Sequence, residues 1–460
     1  MGSRSDMGHN EGGVLEVKPG QAHGGTATTQ SAATSYSYYI LIVLMLGNTC
    51  AFLDRSIISV LLPQLKHELH LGDASLGFLS GFAFTACYVL FGLPLSALAE
   101  RTSRRNIVGV SVALWSVMTA LCGRVASFGQ LVLLRIGVGI GEAGMTPSAH
   151  SLISDLFPPE RRGTAVSIYT IGIHLGIFTG LALGGYLAEH YGWRKTFFFI
   201  SLPGIVIALL VFLTVVEPAR GRRERISFAG PQYQSFPKVI QLLWTDRSLR
   251  YTMLGTTFCS FVTFGLGAWL PSFLVRSHSL TVAQAGLILG VASGLGGLIG
   301  TLVGGVLSDR FSERNPHWRL WIVAVALMIF PVAVLVLLHT ASIAVIGVAA
   351  MSSTLFTAVH KAPTSAVTLN LTPPRMRARA TALTLFLTNL LGGGLGPLIV
   401  GGVSDALRPT FGADSLRYAL ITIAFFALAS AFFYFVAGRY LGIAGHPSAA
   451  AEKSATEAPG

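Results

Sequence analysis

Runs of about 20 apolar residues recur along the whole chain, the length an α-helix needs to cross a hydrocarbon core about 30 Å thick. Twelve can be marked: about 37–63, 74–98, 105–124, 129–155, 161–190, 194–216, 249–276, 281–309, 317–339, 341–370, 375–407 and 414–441. A backbone in lipid must satisfy its polar groups internally, which leaves helices or a closed barrel. Strand alternation is absent, which argues against a barrel. Composition agrees: of 460 residues 52% are hydrophobic and only 11% charged, too few charges to cover a soluble protein of this length. The expected fold class is an all-α polytopic membrane protein with twelve transmembrane helices.

The net charge of +12 would suit a nucleic-acid partner, but its placement argues otherwise. If both termini are cytoplasmic, the inner loops hold clusters such as Arg101, Arg104 and Arg105, or Arg220, Arg222 and Arg223, and the outer loops hold far fewer basic residues. The positive-inside rule then places both termini in the cytoplasm. The basic excess reads as topology and lipid contact, so no nucleic-acid partner is expected. Cys50, Cys87, Cys122 and Cys259 all fall in apolar runs and read as small buried hydrophobes, with no disulfide or metal spacing. Residues 1–36 and 442–460 read as disordered cytoplasmic tails, the first without the apolar core of a signal peptide.

The basic, proline-containing segment 217–248 divides the chain into a six-helix half at 37–216 and another at 249–441. The halves echo each other. "LFPPERRGTA" (156–165) returns as "LTPPRMRARATA" (371–382), and "LSALAERTSRR" (95–105) returns as "GGVLSDRFSER" (304–314). Parallel repeats of six helices, with substrate held between them near the midplane, describe one transporter architecture. The loop "SALAERTSRR" resembles the signature between helices 2 and 3 of the major facilitator superfamily, with Leu98, Arg101, Arg104 and Arg105 in place. Ser96 and Glu100 stand for its usual glycine and aspartate. "RIGVGIGEA" in helix 4 resembles that superfamily's R-x-x-x-G-x-G motif through Arg135, Gly139 and Gly141. Together, "LDR" in helix 1, "GIGEA" in helix 4 and "SLISDLFPPERRG" after it are similar to the spinster family of sphingolipid and lysophospholipid transporters. The resemblance implies two pseudo-symmetric halves of the major facilitator fold.

Charges inside apolar runs are costly and mark function by default. Helix 1 carries Asp54 and Arg55, with Asn48, Arg55 and Ser59 on one polar stripe. Helix 4 carries Arg135 and Glu142 on one face, about 10 Å apart along the axis, with Gly137, Gly141 and Gly144 on the roughly opposite face for close packing. Burial favours a neutral carboxyl and a nearby guanidinium favours a charged one, so two acids near one arginine can switch proton affinity as the protein rocks. Asp54, Arg55, Glu142 and Arg135 are the expected proton-coupling set, the alternative being fixed ion pairs that lock helix 1 to helix 4. The spinster resemblance implies the coupling role for Asp54, Arg55 and Glu142.

Helix 10 offers "TLFTAVHKAPTSAVT" (354–368), where Thr354, Thr357, Lys361, Thr364 and Thr368 share a polar face beside Pro363. With Asn48 and Ser59, the residues Thr354, Thr357, Lys361 and Thr364 form the expected substrate cavity. Lys361 would hold an anionic headgroup unless it snorkels to the interface. His174 and His360 read as polar packing. Glu100, Arg101, Arg104 and Arg105, mirrored by Asp309 and Arg310, are expected to make cytoplasmic ion pairs and caps that hold one access state shut. No catalytic triad, metal cluster or phosphate loop is present, so neither enzyme activity nor a cofactor is expected. The expectation is a monomeric, proton-coupled, alternating-access transporter in the inner membrane, and the resemblance implies an amphipathic lipid-like substrate of lysophospholipid or sphingoid type. A transporter of small organic anions or drugs, and a non-transporting receptor or scaffold, remain alternatives.

Overall fold

The structure, a computed structural model, describes residues 34–218, 236–373 and 376–441. Most of both expected tails, residues 219–235 of the linker and Arg375 lie outside the described residues. The first half contains α1 (Ser35–Leu69), α2 (73–101), α3 (Arg104–Cys122), α4 (128–156), α5 (159–191) and α6 (193–214). The second contains α7 (Arg247–His278), α8 (Val282–Ser312), α9 (Trp318–His339), α10 (343–371), α11 (377–411) and α12 (Ser415–Leu441).

Among the described residues ten segments are long and apolar enough to cross a membrane, but two of them are double. Glu160–Thr214 has 55 residues, which as one helix would reach about 80 Å. It breaks at Gly192, whose φ of 75° lies in the left-handed region open to glycine. Arg379–Leu441 turns in the same way at Gly412, with φ 54°. Twelve crossings result. The linker also holds an amphipathic helix (Phe236–Thr245), whose Val239 and Leu243 pack on Leu249 and Met253 of α7 and on Ala380 of α11.

Packing differs between the two ends of the bundle. On the side opposite the termini one buried core spans both halves, joining Ile57, Leu61 and Leu65 of α1 and Leu76 and Leu79 of α2 to Trp269 and Phe273 of α7 and Val400 of α11. Toward the terminal side the core divides. One cluster holds Ile40, Leu44, Trp115 and Leu152, and a separate one holds Leu320, Leu327 and Tyr434. The halves are therefore joined at one end and separate toward the other, with a central space between.

Polar contacts reinforce the joined end. Asp73, at the start of α2, accepts both guanidinium nitrogens of Arg276 at 3.0 and 2.9 Å, Lys66 Nζ at 2.6 Å and the Ser404 hydroxyl at 2.8 Å. Asp405 of α11 in turn accepts the backbone N–H groups of Asp73 and Ala74 at 3.0 and 2.7 Å. A carboxylate there satisfies the unpaired donors and the positive end of the α2 dipole. Below this clasp two π-helical turns, Phe78–Phe82 in α2 and Thr388–Gly394 in α11, lie against each other. A Cβ on Gly81 would sit 2.7 and 2.8 Å from the carbonyl oxygens of Gly394 and Gly393.

The signature loop makes its ion pairs between helices of the first half. Arg104 donates through Nε to Glu217 at 2.8 Å, through Nη1 to Asp155 and to the Ser151 hydroxyl, and through Nη2 to the Pro218 carbonyl at 3.0 Å. Arg105 donates to the Phe212 carbonyl at 2.7 Å. These contacts brace α3, α4 and the end of α6 within the first half; they do not join the halves. Arg101, Asp309 and Arg310 are exposed at the terminal rim, and the side chain of Glu100 lies outside the described set.

Burial opposes the charge of Glu217, but the Arg105 N–H, the Arg104 guanidinium and the Ser103 hydroxyl hold its carboxyl below the usual range. A depressed folded-state pKa gives stability that is present above the unfolded value and lost as pH falls through the folded one. Glu217→Gln should therefore lower thermal stability at neutral pH, and the gap to the native chain should narrow below pH about 4 in a thermal-shift series. A second prediction concerns the seam. Gly81→Val overpacks it by about 1–3 kcal/mol, so spin-label distances across the clasped end should lengthen as that end opens. Gly180→Val, which meets the Leu53 carbonyl inside the first half, should reduce stability and leave those distances unchanged.

Candidate functional site

The four charges of α1 and α4 meet at mid-bundle because small residues let α4 settle deeply. Gly141 abuts the backbone of Trp115 on α3, where a Cβ would lie 2.9 Å from its nitrogen. Gly139 lies against the Phe84 carbonyl of α2 in the same manner. With those faces occupied, α4 turns Arg135 and Glu142 toward α1. Asp54 is 4% exposed and Arg135 and Glu142 are each 1% exposed, whereas the Arg55 side chain keeps 22%. Burial of three of these groups makes pairing obligatory.

The pairing is crossed. Arg135 Nη1 donates to Asp54 Oδ1 at 2.5 Å, and the Thr119 hydroxyl of α3 donates to Asp54 Oδ2. Arg55 Nε donates to Glu142 Oε2 at 2.6 Å. Each acid thus has its own arginine, correcting the expectation of two acids around one. Neighbouring residues on a helix point about 100° apart, so Asp54 and Arg55 reach partners two turns apart on α4. The two acids are also not equivalent. Both oxygens of Asp54 are engaged, whereas Glu142 Oε1 is buried without a protein partner. The Arg55 guanidinium further lies over the rings of Phe52, Phe84 and Tyr88, with centroids at 4.9, 4.9 and 4.4 Å. These rings and Thr119 were not read from the sequence, where a threonine or aromatic in an apolar run carries no signal of its own.

The expected cavity set divides. Asn48 is buried and donates to the Tyr169 carbonyl at 3.1 Å, tying α1 to α5. Ser59 is buried and bonds the Ser56 carbonyl of its own helix at 2.7 Å. It lies toward the clasped end, where the seam is sealed. Thr357 and Thr364 are buried as well, Thr357 on the carbonyls of its own helix and Thr364 on the Tyr434 hydroxyl at 3.0 Å. Relative to Lys361 they are rotated about 40° and 60° to one side, into the second half's core, while Ser365 is rotated about 40° the other way. Lys361 and Ser365 are exposed and Thr354 is half-buried, so these three face the open space. Lys361 interacts electrostatically with His174 of α5, across the seam, and with Cys259 of α7. That places its ammonium in the interior between the halves and not at the lipid interface. His360 donates from Nδ1 to the Thr357 carbonyl at 2.5 Å and serves as packing. Among the described residues no group of His, Cys, Asp and Glu could hold a metal.

A twelve-helix bundle in two halves, with ion pairs buried in one and a solvent-reached space between them, matches known proteins in both sequence and shape. Residues 44–397 match the family model described as Major Facilitator Superfamily. An MFS-type efflux pump of Mycolicibacterium smegmatis is 35% identical over 397 residues, covering 86% of this chain and 91% of that one. The sphingosine-1-phosphate transporter of Danio rerio is 24% identical over 421 residues, covering 85% and 83%. The crystal structure of a bacterial homolog to the human lysosomal transporter spinster, inward-facing and unoccupied, superposes with a TM-score of 0.81 at 29% identity, covering 89% of this chain and 98% of that one. The chain therefore belongs to the Major Facilitator Superfamily, whose members are membrane transporters and not enzymes.

Proposed function

We propose that the protein is a proton-coupled, alternating-access transporter of an amphipathic, lipid-like substrate of the lysophospholipid or sphingoid type, with Glu142 as its principal proton carrier. The half-engaged Glu142 carboxylate beside a solvent-reached arginine carries this reading. A proton arriving from the central space finds Glu142 Oε1 unpartnered and can bind there without first displacing Arg55. Neutralising the acid then frees Arg55 from a charged partner, which changes what α1 presents to the space between the halves. Asp54, held by Arg135 and Thr119, keeps α1 registered on α4 and is the second coupling carboxylate.

The basic loops support cytoplasmic termini, so the joined end faces outward and the separated end faces the cytoplasm. The inner membrane and a monomeric working unit fit the same reading. On closure of the inner end, Arg101, Asp309 and Arg310 lie where the rims would meet, and Arg104 and Arg105 act as braces behind them. Lys361 offers a cation to an anionic headgroup, with Thr354 and Ser365 on the same side of α10. Likeness to the sphingosine-1-phosphate transporter supports a lipid substrate. A second reading, export of small organic anions or drugs, draws on the higher identity with the mycobacterial efflux pump.

Uptake into proteoliposomes, with lysolipids, sphingoid bases, organic anions and dyes, each with and without a pH gradient, separates these readings. Accumulation of lysolipid or sphingoid compounds driven by the gradient is expected; accumulation of dyes and anions alone would favour the second. Glu142→Gln should abolish the gradient's effect with folding intact by thermal shift, whereas Asp54→Asn, which leaves the buried Arg135 without its counterion, should reduce it strongly and also lower the melting temperature. A wild-type pH dependence in Glu142→Gln would remove it from the coupling role. Lys361→Met should weaken anionic substrates by about ten- to a hundredfold, the worth of one charge-assisted contact, and spare neutral ones. Equal effects on both would exclude a headgroup contact.

A further inference from the structure

The surroundings of Arg55 raise a question that its ion pair leaves open: where the guanidinium goes when Glu142 is neutral. Adding a proton at Glu142 Oε1 converts carboxylate to carboxylic acid and leaves Arg55 charged, so the cluster gains one positive charge. Asp54 is a poor second partner for Arg55, because its charge is already paired with the buried Arg135 and its other oxygen accepts from Thr119. Other ionisable groups facing the cluster are Cys50 on α1, Tyr88 on α2, Cys122 on α3, Arg135 on α4 and Tyr169 on α5. Thiols and phenols are neutral near pH 7 and offer no countercharge. α7, which packs on α1, has no charged residue between Tyr251 and Arg276.

What remains within reach is aromatic. Ring faces attract a guanidinium through their quadrupole, most strongly where water is scarce. Phe52 lies on the helix that carries Arg55, one turn away. Phe84 and Tyr88 lie on α2, one turn apart, and place two ring faces over the same guanidinium at 4.9 and 4.4 Å. The Phe84 ring also lies 5.5 Å from the Arg135 guanidinium, so a single buried side chain stands beside both arginines.

We infer that Phe84 and Tyr88 are positioning residues of the proton switch: their ring faces hold Arg55 while Glu142 is protonated, and so set how readily Glu142 accepts its proton. Without them a neutral Glu142 leaves a charge with poor company, and protonation becomes harder. The inference rests on the reading of Glu142 as the proton carrier. Tyr88 is the better residue to change, being half-buried; Phe84 is buried and its truncation leaves a cavity beside Gly139. The Tyr88 hydroxyl also interacts electrostatically with Arg55, so Tyr88→Phe separates ring from hydroxyl.

The test is an infrared difference titration of the full chain reconstituted in lipid, with Glu142→Gln identifying the Glu142 carboxyl band. Tyr88→Leu should move that band's midpoint to lower pH by about one unit, the scale of one desolvated cation–π contact. Tyr88→Phe should leave the midpoint in place. The pH profile of transport should move in the same direction as the band. A native midpoint in Tyr88→Leu overturns the inference while leaving Glu142 as proton carrier. A shift in Tyr88→Phe as large as in Tyr88→Leu assigns the effect to the hydroxyl and overturns it too. If the native protein shows no titrating Glu142 band, the underlying reading fails, and this inference fails with it.

Discussion

Two ion pairs buried side by side between α1 and α4 govern much of the first half. Each charge would cost several kcal/mol to bury alone, so removing one partner of such a pair costs about 3–5 kcal/mol. Helices α1 and α4 therefore cannot slide or rotate independently while all four groups are charged. The glycines that bring α4 against α2 and α3 serve the same end, since a shallower seat would leave Arg135 and Glu142 short of α1. The constraint has one release. A proton on a carboxylate cancels one charge without breaking the backbone packing, and Glu142, with an unpartnered oxygen, is the more open of the two acids.

The ends of the bundle follow a different logic. At the clasped end, carboxylates reach across the seam to cations and helix N-termini: Asp73 to Arg276 and Asp405 to the first turn of α2. At the terminal end, the strongest described pairs of the signature loop stay inside one half, on Arg104. Alternation between access states requires rigid halves and a breakable seam. The first half is braced internally by Arg104, Asp155 and Glu217, and the seam is held by contacts partly open to water, with Lys66 and Arg276 each more than a fifth exposed. Water can replace such contacts at less cost than buried ones.

Much of this was legible in the sequence because lipid permits few solutions. Twelve apolar runs became twelve crossings, and Asp54, Arg55, Arg135 and Glu142 stood out as charges where charge is expensive. The pairing pattern was not legible, since the crossing depends on how far two arginine side chains reach and on which faces of α4 glycine had already assigned to neighbours. The helix 10 stripe failed in part for a related reason. A polar face about 100° wide on paper straddles the border between core and cavity, so Thr357 and Thr364 turned inward while Lys361 and Ser365 turned out. The clasp went unread because Asp73, Arg276 and Asp405 sit at helix ends, where charges are ordinary. The loop motif drew attention to the opposite end.

Helix α2 connects these regions. Asp73 and Ala74 at its start receive the clasp, Gly77 and Gly81 lie against α11 across the seam, and Phe84 and Tyr88 lie over Arg55. All six fall within a stretch about 22 Å long. A π-helical turn, Phe78–Phe82, lies between the clasp and the rings over Arg55, and such turns lack the regular i→i+4 ladder that makes a helix stiff. Phe84 follows Gly81 by less than one turn. A change in how tightly Arg55 presses on the Phe84 ring is therefore applied beside the point where α2 touches the Gly393 and Gly394 carbonyls. Coupling of the proposed proton site to the seam would need no long chain of intermediates in this geometry: the residue that lies over the arginine and the residue that meets the other half share one turn of one helix.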